Sequence, residues 1–176
     1  MILVNIESLV IGYMPMPSVM TLRQAEPHDD IDPDLVLPIF IGPMESSAIA
    51  AALEDSPDER PLTHTLTNDI VKAMGGEVSR VVIDRVEGTT YFCTVYLRLA
   101  SGMFTRVDAR PSDGIALAIR ANAPIFVEED VFKSSGTPRS FTSPSDRRIE
   151  IEEFDKFIEQ VDPEDFVTHG GGPSEA

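Results

Sequence analysis

Ile39-Phe-Ile-Gly-Pro-Met-Glu-Ser-Ser-Ala-Ile-Ala-Ala-Ala-Leu53 and Thr105-Arg-Val-Asp-Ala-Arg-Pro-Ser-Asp-Gly-Ile-Ala-Leu-Ala-Ile119 can be laid on one another without gaps. Each reads as a strand, a turn containing proline, and a helix of small residues. Ile41 falls on Val107, Ser46 on Ser112, Ile49 on Ile115 and Ala50 on Ala116. Two strand-like segments precede each copy. The pattern predicts a duplicated β-β-β-α unit in an α+β domain with a mixed or antiparallel sheet and packed helices.

The strands of the first copy are read at Ile2–Gly12, Val19–Arg23 and Val36–Ile41, with a helix over Glu45–Leu53. Those of the second are Val78–Val86, Thr90–Leu99 and Met103–Ala109, followed by a helix that starts at Pro111. Between the copies, Thr63 is a good N-cap for a helix to about Met74, with an apolar row at Leu66, Ile70 and Met74. Ile115, Ala118 and Ile119 form the row of the helix after Pro111. Ile125–Val127 reads as a short strand and Glu128–Lys133 as a short helix. Residues 1–138 are expected to form the domain. Residues 139–176 are an acidic extension with one amphipathic helix marked by Phe154, Phe157, Ile158 and Val161, and a flexible end.

The 176 residues carry a net charge of −16. Such a balance disfavours broad electrostatic capture of DNA or RNA, which needs a basic field facing the phosphates, but leaves room for a local basic pocket. Ten acids and three bases fall in residues 141–176, so most of the excess lies in the domain. No apolar run approaches the roughly 20 residues of a membrane span. The N-terminus lacks the pattern of a secretory signal, and the one cysteine, Cys93, points to the cytoplasm. Strand-rich domains with apolar edges often pair, so a homo-oligomer is expected.

Two segments carry chemistry: Arg60-Pro-Leu-Thr-His64 and Asp108-Ala-Arg-Pro-Ser-Asp113. Each puts an arginine and a hydroxyl residue at a helix start, where free amides attract anions such as phosphate. Arg60 and Arg110 can each hold an oxyanion bidentately, with Ser112 beside them. A neutral His64 imidazole is available as base or metal ligand. Asp108 closes a strand and Asp113 opens a helix, and together they could hold a hard cation, Mg²⁺ or Mn²⁺. The structural alternatives are a helix cap at Ser112 and Asp113, a buried ion-pair network of Arg60, Arg110 and Asp108, and a satisfied structural His64. Glu45 is read as a favourable charge at its helix N-terminus, and Cys93 as a packing residue.

Leu37-Pro-Ile-Phe-Ile-Gly42 with Glu45 and Ala48-Ile49, Arg60-Pro-Leu-Thr-His64, Asp108-Ala-Arg-Pro-Ser-Asp113, Ile115-Ala-Leu-Ala-Ile-Arg120 and Ala123-Pro-Ile-Phe126 occur in that order. Over roughly residues 2–135 the chain resembles the bifunctional nuclease family. The resemblance implies an α+β domain and hydrolysis of DNA or RNA phosphodiesters. His64 would then be the acid or base, Arg60, Arg110 and Ser112 would hold phosphate, and Asp108 and Asp113 would position a divalent cation or water. One position departs from the family pattern: Thr65 stands where an aspartate is usual. The competing reading is a non-catalytic regulatory module that binds a nucleotide or another small anion.

Overall fold

Strands Ile2–Val10 (β1), Ser18–Gln24 (β2) and Leu35–Ile41 (β3) form an antiparallel meander that leads into helix Pro43–Leu53 (α1) in the computed structural model, which describes residues 1–12, 16–54 and 59–139. After helix Thr63–Ala73 (α2), the pattern recurs. Strands Glu77–Glu87 (β4), Thr90–Arg98 (β5) and Phe104–Ala109 (β6) make a second meander, and helix Pro111–Ala121 (α3) follows. Strand Ile125–Val127 (β7), helix Glu129–Ser135 (α4) and the two-residue strand Thr137–Pro138 (β8) complete the described residues. One mixed sheet results, in the order β6-β5-β4-β7-β1-β2-β3-β8. The duplicated α+β reading holds. Predicted features from residue 140 onward, including the amphipathic helix, lie outside the described residues.

β7 joins the two meanders. It runs parallel to β4, with Val81 opposite Ile125, and antiparallel to β1, with Ile2 opposite Val127. All three residues of β7 are apolar, and Val127 is wholly buried, as suits a central strand covered on both faces. The core gathers Met20, Leu22 and Leu37 from the first half and Val81, Ile83 and Ile115 from the second. Pro38 costs little because β8 pairs β3 only at Leu35 and Val36, so the outer side of β3 is open where proline lacks its N–H.

Three readings change. Both helices start at a proline after a one-residue junction, Gly42-Pro43 and Arg110-Pro111. The spatial correspondence is therefore shifted by two residues from the gapless alignment, and pairs Glu45 with Asp113. At the start of α2 the N-cap is Leu62, and Thr63 is already helical. The Thr63 carbonyl accepts the Thr67 hydroxyl at 2.8 Å. Finally, Leu66, Ile70 and Met74 are not a core row: they are 51%, 51% and 79% exposed. The buried residue of α2 is Asn68, which donates to the Arg120 carbonyl at the end of α3. Periodicity identified an apolar row without saying what it faces.

α3 lies close against β5 through Gly114. A Cβ there would stand 2.6 Å from Cys93 Sγ and 3.1 Å from Val81 Cγ1. Gly114→Ala should cost about 1–3 kcal/mol by overpacking. Denaturant titration should show much of that loss recovered in the double variant with Cys93→Ala, because the Sγ is gone. Purely additive losses would show that helix and strand do not touch as described.

Candidate functional site

The site is built from the first turns of α1 and α3. Arg110 Nη1 donates to Glu45 Oε1 at 2.9 Å, joining these turns. Arg120 Nη2 donates to the Ala51 carbonyl at 3.1 Å, joining the last turns. The two helices therefore run side by side in one direction, and both positive dipole ends arrive at Arg110. Glu45 and Asp113 occupy the third position of their helices, where a carboxylate offsets the dipole. Gly42 makes room for the first of them: a Cβ at that residue would lie 2.3 Å from Glu45 Oε2.

Arg110 Nε donates to Asp113 Oδ2 at 2.8 Å, and the other carboxylate oxygen, Oδ1, lies 3.3 Å from His64 Nε2. The first turn of α2 presents that imidazole. A continuous chain His64–Asp113–Arg110–Glu45 thus links three helix starts. Burial works to raise the Asp113 carboxyl. The hydrogen bonds and charges of Arg110 and His64 outweigh it and hold the group below the usual carboxylate range. The hydrogen bond and charge of Asp113, then those of Glu45, push the Arg110 guanidinium up. The Arg110 side chain is 66% exposed, so these pairs shape the surface and are not a buried network.

Hollows open on either side of this chain. One, of about 280 Å³, is lined by Gly42, Glu45, Thr89, Thr90, Arg110 and Ser112. The other, of about 510 Å³, runs between α2 and the sheet. Its walls include His64, Val71, Val95, Leu97, Val107 and Asp113, and it is mainly apolar. Arg110 belongs to the first hollow, and Asp113 with His64 to the second. A phosphate at Arg110 would have a recess of mixed polar and apolar lining on one side and an apolar groove on the other.

The remaining sequence candidates are placed differently. Asp108 stands opposite Thr94, whereas its neighbours Val107 and Ala109 line the groove beside His64. Strand alternation therefore turns Asp108 to the other face of the sheet, away from Asp113. The expected Asp108–Asp113 cation pair is not assembled. Glu45 and Asp113 both hold Arg110, and among the described residues no three of His, Cys, Asp and Glu are gathered as a ligand set. The residues present do not fit a dedicated cation site. Arg60 is exposed ahead of α2, and Ser112 is buried in the first turn of α3 beside Arg110. With Arg60, Arg110 and Asp108 all exposed, the buried network of these three is not found. Thr65 is half-buried with its hydroxyl shut from solvent, and it does not line the groove. The reading of Glu45 as a local dipole partner missed its reach to Arg110. Aligning the two copies on their prolines puts Glu45 and Asp113 in register and would have exposed the pair. Cys93 is fully buried under Gly114. Burial, and then the nearby Asp84, Asp108 and Asp113, push its thiol up to about 12.

Residues 28–140 match the model of the bifunctional nuclease domain. The chain belongs to the bifunctional nuclease domain family. An uncharacterized protein of Mycobacterium tuberculosis is 36% identical over 154 residues, which cover 84% of this chain and 87% of that protein. Bifunctional nuclease 1 of Oryza sativa subsp. indica is 27% identical over 78% of this chain and 44% of its own length. Bifunctional nuclease 2 of Arabidopsis thaliana is 34% identical over 58% of this chain and 32% of its own length. The similarity to the plant proteins thus spans under half of each, and the family match takes in every member of the His64–Asp113–Arg110–Glu45 chain. Among the described residues no helix is long and apolar enough to cross a membrane.

The lowered Asp113 carboxyl has a sign that can be measured. Its contribution to stability is present above the ordinary value of 3.8 and is lost as pH falls through the lower folded value. The melting temperature of Asp113→Asn should therefore lie below wild type by a constant margin at neutral pH. That margin should close in strongly acidic buffer. A margin that is the same at both ends would show that Asp113 is not held as a charged partner.

Proposed function

We propose that the chain hydrolyses phosphodiester bonds in DNA or RNA, with the His64–Asp113–Arg110 chain as its working centre. The observation that carries this reading is a base, its orienting carboxylate and an exposed arginine joined in sequence where three helix N-termini meet. Arg110 spends two of the five N–H donors of a guanidinium on Glu45 and Asp113, and the rest remain for phosphate oxygens. The α1 and α3 amides add to that attraction. Asp113 engages one imidazole nitrogen, and the other takes a proton from the attacking water. Family membership supports the substrate class. A divalent cation, if the reaction uses one, would come with the nucleic acid, since these residues offer it no cage. The reading carries a cytoplasmic protein, and one that self-associates through its exposed apolar surface.

The charge of −16 favours a second reading, a module that binds a nucleotide without cleaving it. One set of variants separates the two. His64→Ala should reduce cleavage of single-stranded RNA and DNA by about 10²–10⁴. Arg110→Lys keeps the charge but loses the planar fork, so it should weaken substrate retention. Because the Arg110 pairs are exposed, Arg110→Lys should stay within about 1 kcal/mol of wild-type stability, while His64→Ala, at a half-buried imidazole, should remain folded by circular dichroism. Absence of turnover with and without Mg²⁺ or Mn²⁺, combined with thermal stabilisation by nucleotide, would establish the binding module instead.

The acidic surface sets a further expectation. Duplex DNA at physiological salt should bind no more tightly than about 10⁻⁴–10⁻⁶ M, the range of non-specific contacts. Fluorescence anisotropy reads this directly, and nanomolar binding without added metal would contradict it.

A further inference from the structure

We propose that the groove between α2 and the sheet is a nucleobase subsite: an unpaired base of the strand enters it while the phosphate of the same nucleotide lies on Arg110. The inference rests on the reading of Arg110 as the phosphate holder, and it narrows the substrate to single-stranded nucleic acid. One carboxylate separates the two positions. Asp113 turns Oδ2 to Arg110 at 2.8 Å and Oδ1 to His64, at 3.3 Å, on the groove wall.

The groove has the size and the lining of a ligand site. Its volume of about 510 Å³ lies within the roughly 300–1,000 Å³ of small-molecule pockets, and the recess on the other side of Arg110, at about 280 Å³, falls below it. Buried Val95 and Leu117 form the floor, and Val71, Leu97 and Val107 the partly exposed sides. Charge is confined to one end. His64 and Asp113 stand at the starts of α2 and α3, whereas Val71 lies two turns further along α2, roughly 10 Å away. Thr67, between them, spends its hydroxyl on the Thr63 carbonyl. A ligand that fills this groove is therefore apolar over most of its faces and anionic at the end next to Arg110. A nucleotide with its base laid inward has that distribution.

The charge of the protein points the same way. A net charge of −16 works against holding a polyanion by its phosphates. Contact with the face of a base adds affinity that needs no basic field, and it tolerates any base, since each has such a face. In a duplex those faces are stacked, and extruding one costs unpairing and unstacking. In a single strand they are free to splay out. Apolar walls cover a base without reading its edges, so the subsite distinguishes a base from no base rather than one base from another.

Isothermal titration calorimetry of the full chain without divalent cation tests the subsite. The probes are thymidine 3′,5′-bisphosphate and its abasic counterpart, which carries both phosphates and no base. The thymidine compound should bind at least about tenfold tighter, the scale of burying one apolar group of this size. Val107→Phe fills the groove from an exposed position, so it should keep the wild-type circular dichroism spectrum. It should abolish the difference between the probes and leave the affinity for the abasic compound as it was. Arg110→Ala should weaken both probes by the same factor. Equal affinity of wild type for the two probes overturns the subsite even where RNA and DNA are cleaved, and hydrolysis then stands without it. A difference that survives Val107→Phe places the base elsewhere and overturns it too. Base-dependent affinity in a protein that cleaves nothing upholds the subsite and overturns hydrolysis alone. Binding of neither probe overturns the subsite and the phosphate holder together. Octyl phosphate bound more tightly than thymidine bisphosphate would make the groove an alkyl-chain site and overturn the assignment as well.

Discussion

Three residues, Ile125–Val127, make one sheet of two meanders. β7 lies between β1 and β4, with Ile125 facing both Val4 and Val81. The pairing is extended by the Val81 amide on the Pro124 carbonyl and the Glu128 amide on the Ile83 carbonyl. Without this strand each meander would keep an unpaired inner edge, and α1 and α3 would be held together by their own contacts alone. With it, the two helices lie alongside one another, and Glu45 reaches a residue 65 positions away. The functional geometry is thus a consequence of how the halves are joined, and neither half contains it alone.

Side-by-side helices running in one direction put two positive dipole ends together, an arrangement that would repel without compensation. Glu45 and Asp113 supply that compensation, and Arg110 sits between them. The result is a charge-balanced cluster whose exposed member is the Arg110 guanidinium. An arginine held by two carboxylates keeps a fixed orientation, which lowers the entropy lost when it takes a further anion. The helix ends therefore both create the electrostatic problem and provide the anion-attracting amides around its solution.

Most elements were legible because strands and helices here follow local rules: β-branched runs, glycine and proline boundaries, and prolines at the first turns of α1 and α3. The duplication was legible as a pattern, yet its register was not, because short apolar matches fit at offsets differing by two. The proline junctions decide it. Facing was the least legible property. Leu66, Ile70 and Met74 repeat with helical spacing, but the repeat says nothing of which row meets the core, and Asn68 turned out to be the inward residue. Asp108 and Asp113 looked like neighbours through sequence proximity. Their separation depends on the pairing of β6 with β5, a relation between strands that local spacing does not encode. His64 and Arg110 were found from residue type at helix starts, and their partner Glu45 was hidden by its distance along the chain.

The burial of Cys93 gives the protein an internal clock for its own opening. With the thiol pushed up to about 12, only about one part in 10⁵ is thiolate at pH 7, and even that fraction is walled off between β5 and α3. Alkylating reagents and peroxide react with thiolate, so the native state is chemically silent to both. Modification must then pass through an excursion that separates α3 from β5, at the heart of the second half. Under conditions where reclosing outpaces reaction, the labelling rate reports the free energy of that excursion, and any ligand that favours the closed form slows it. A single sulfur, placed by packing alone, turns the stability of the domain into a reaction rate.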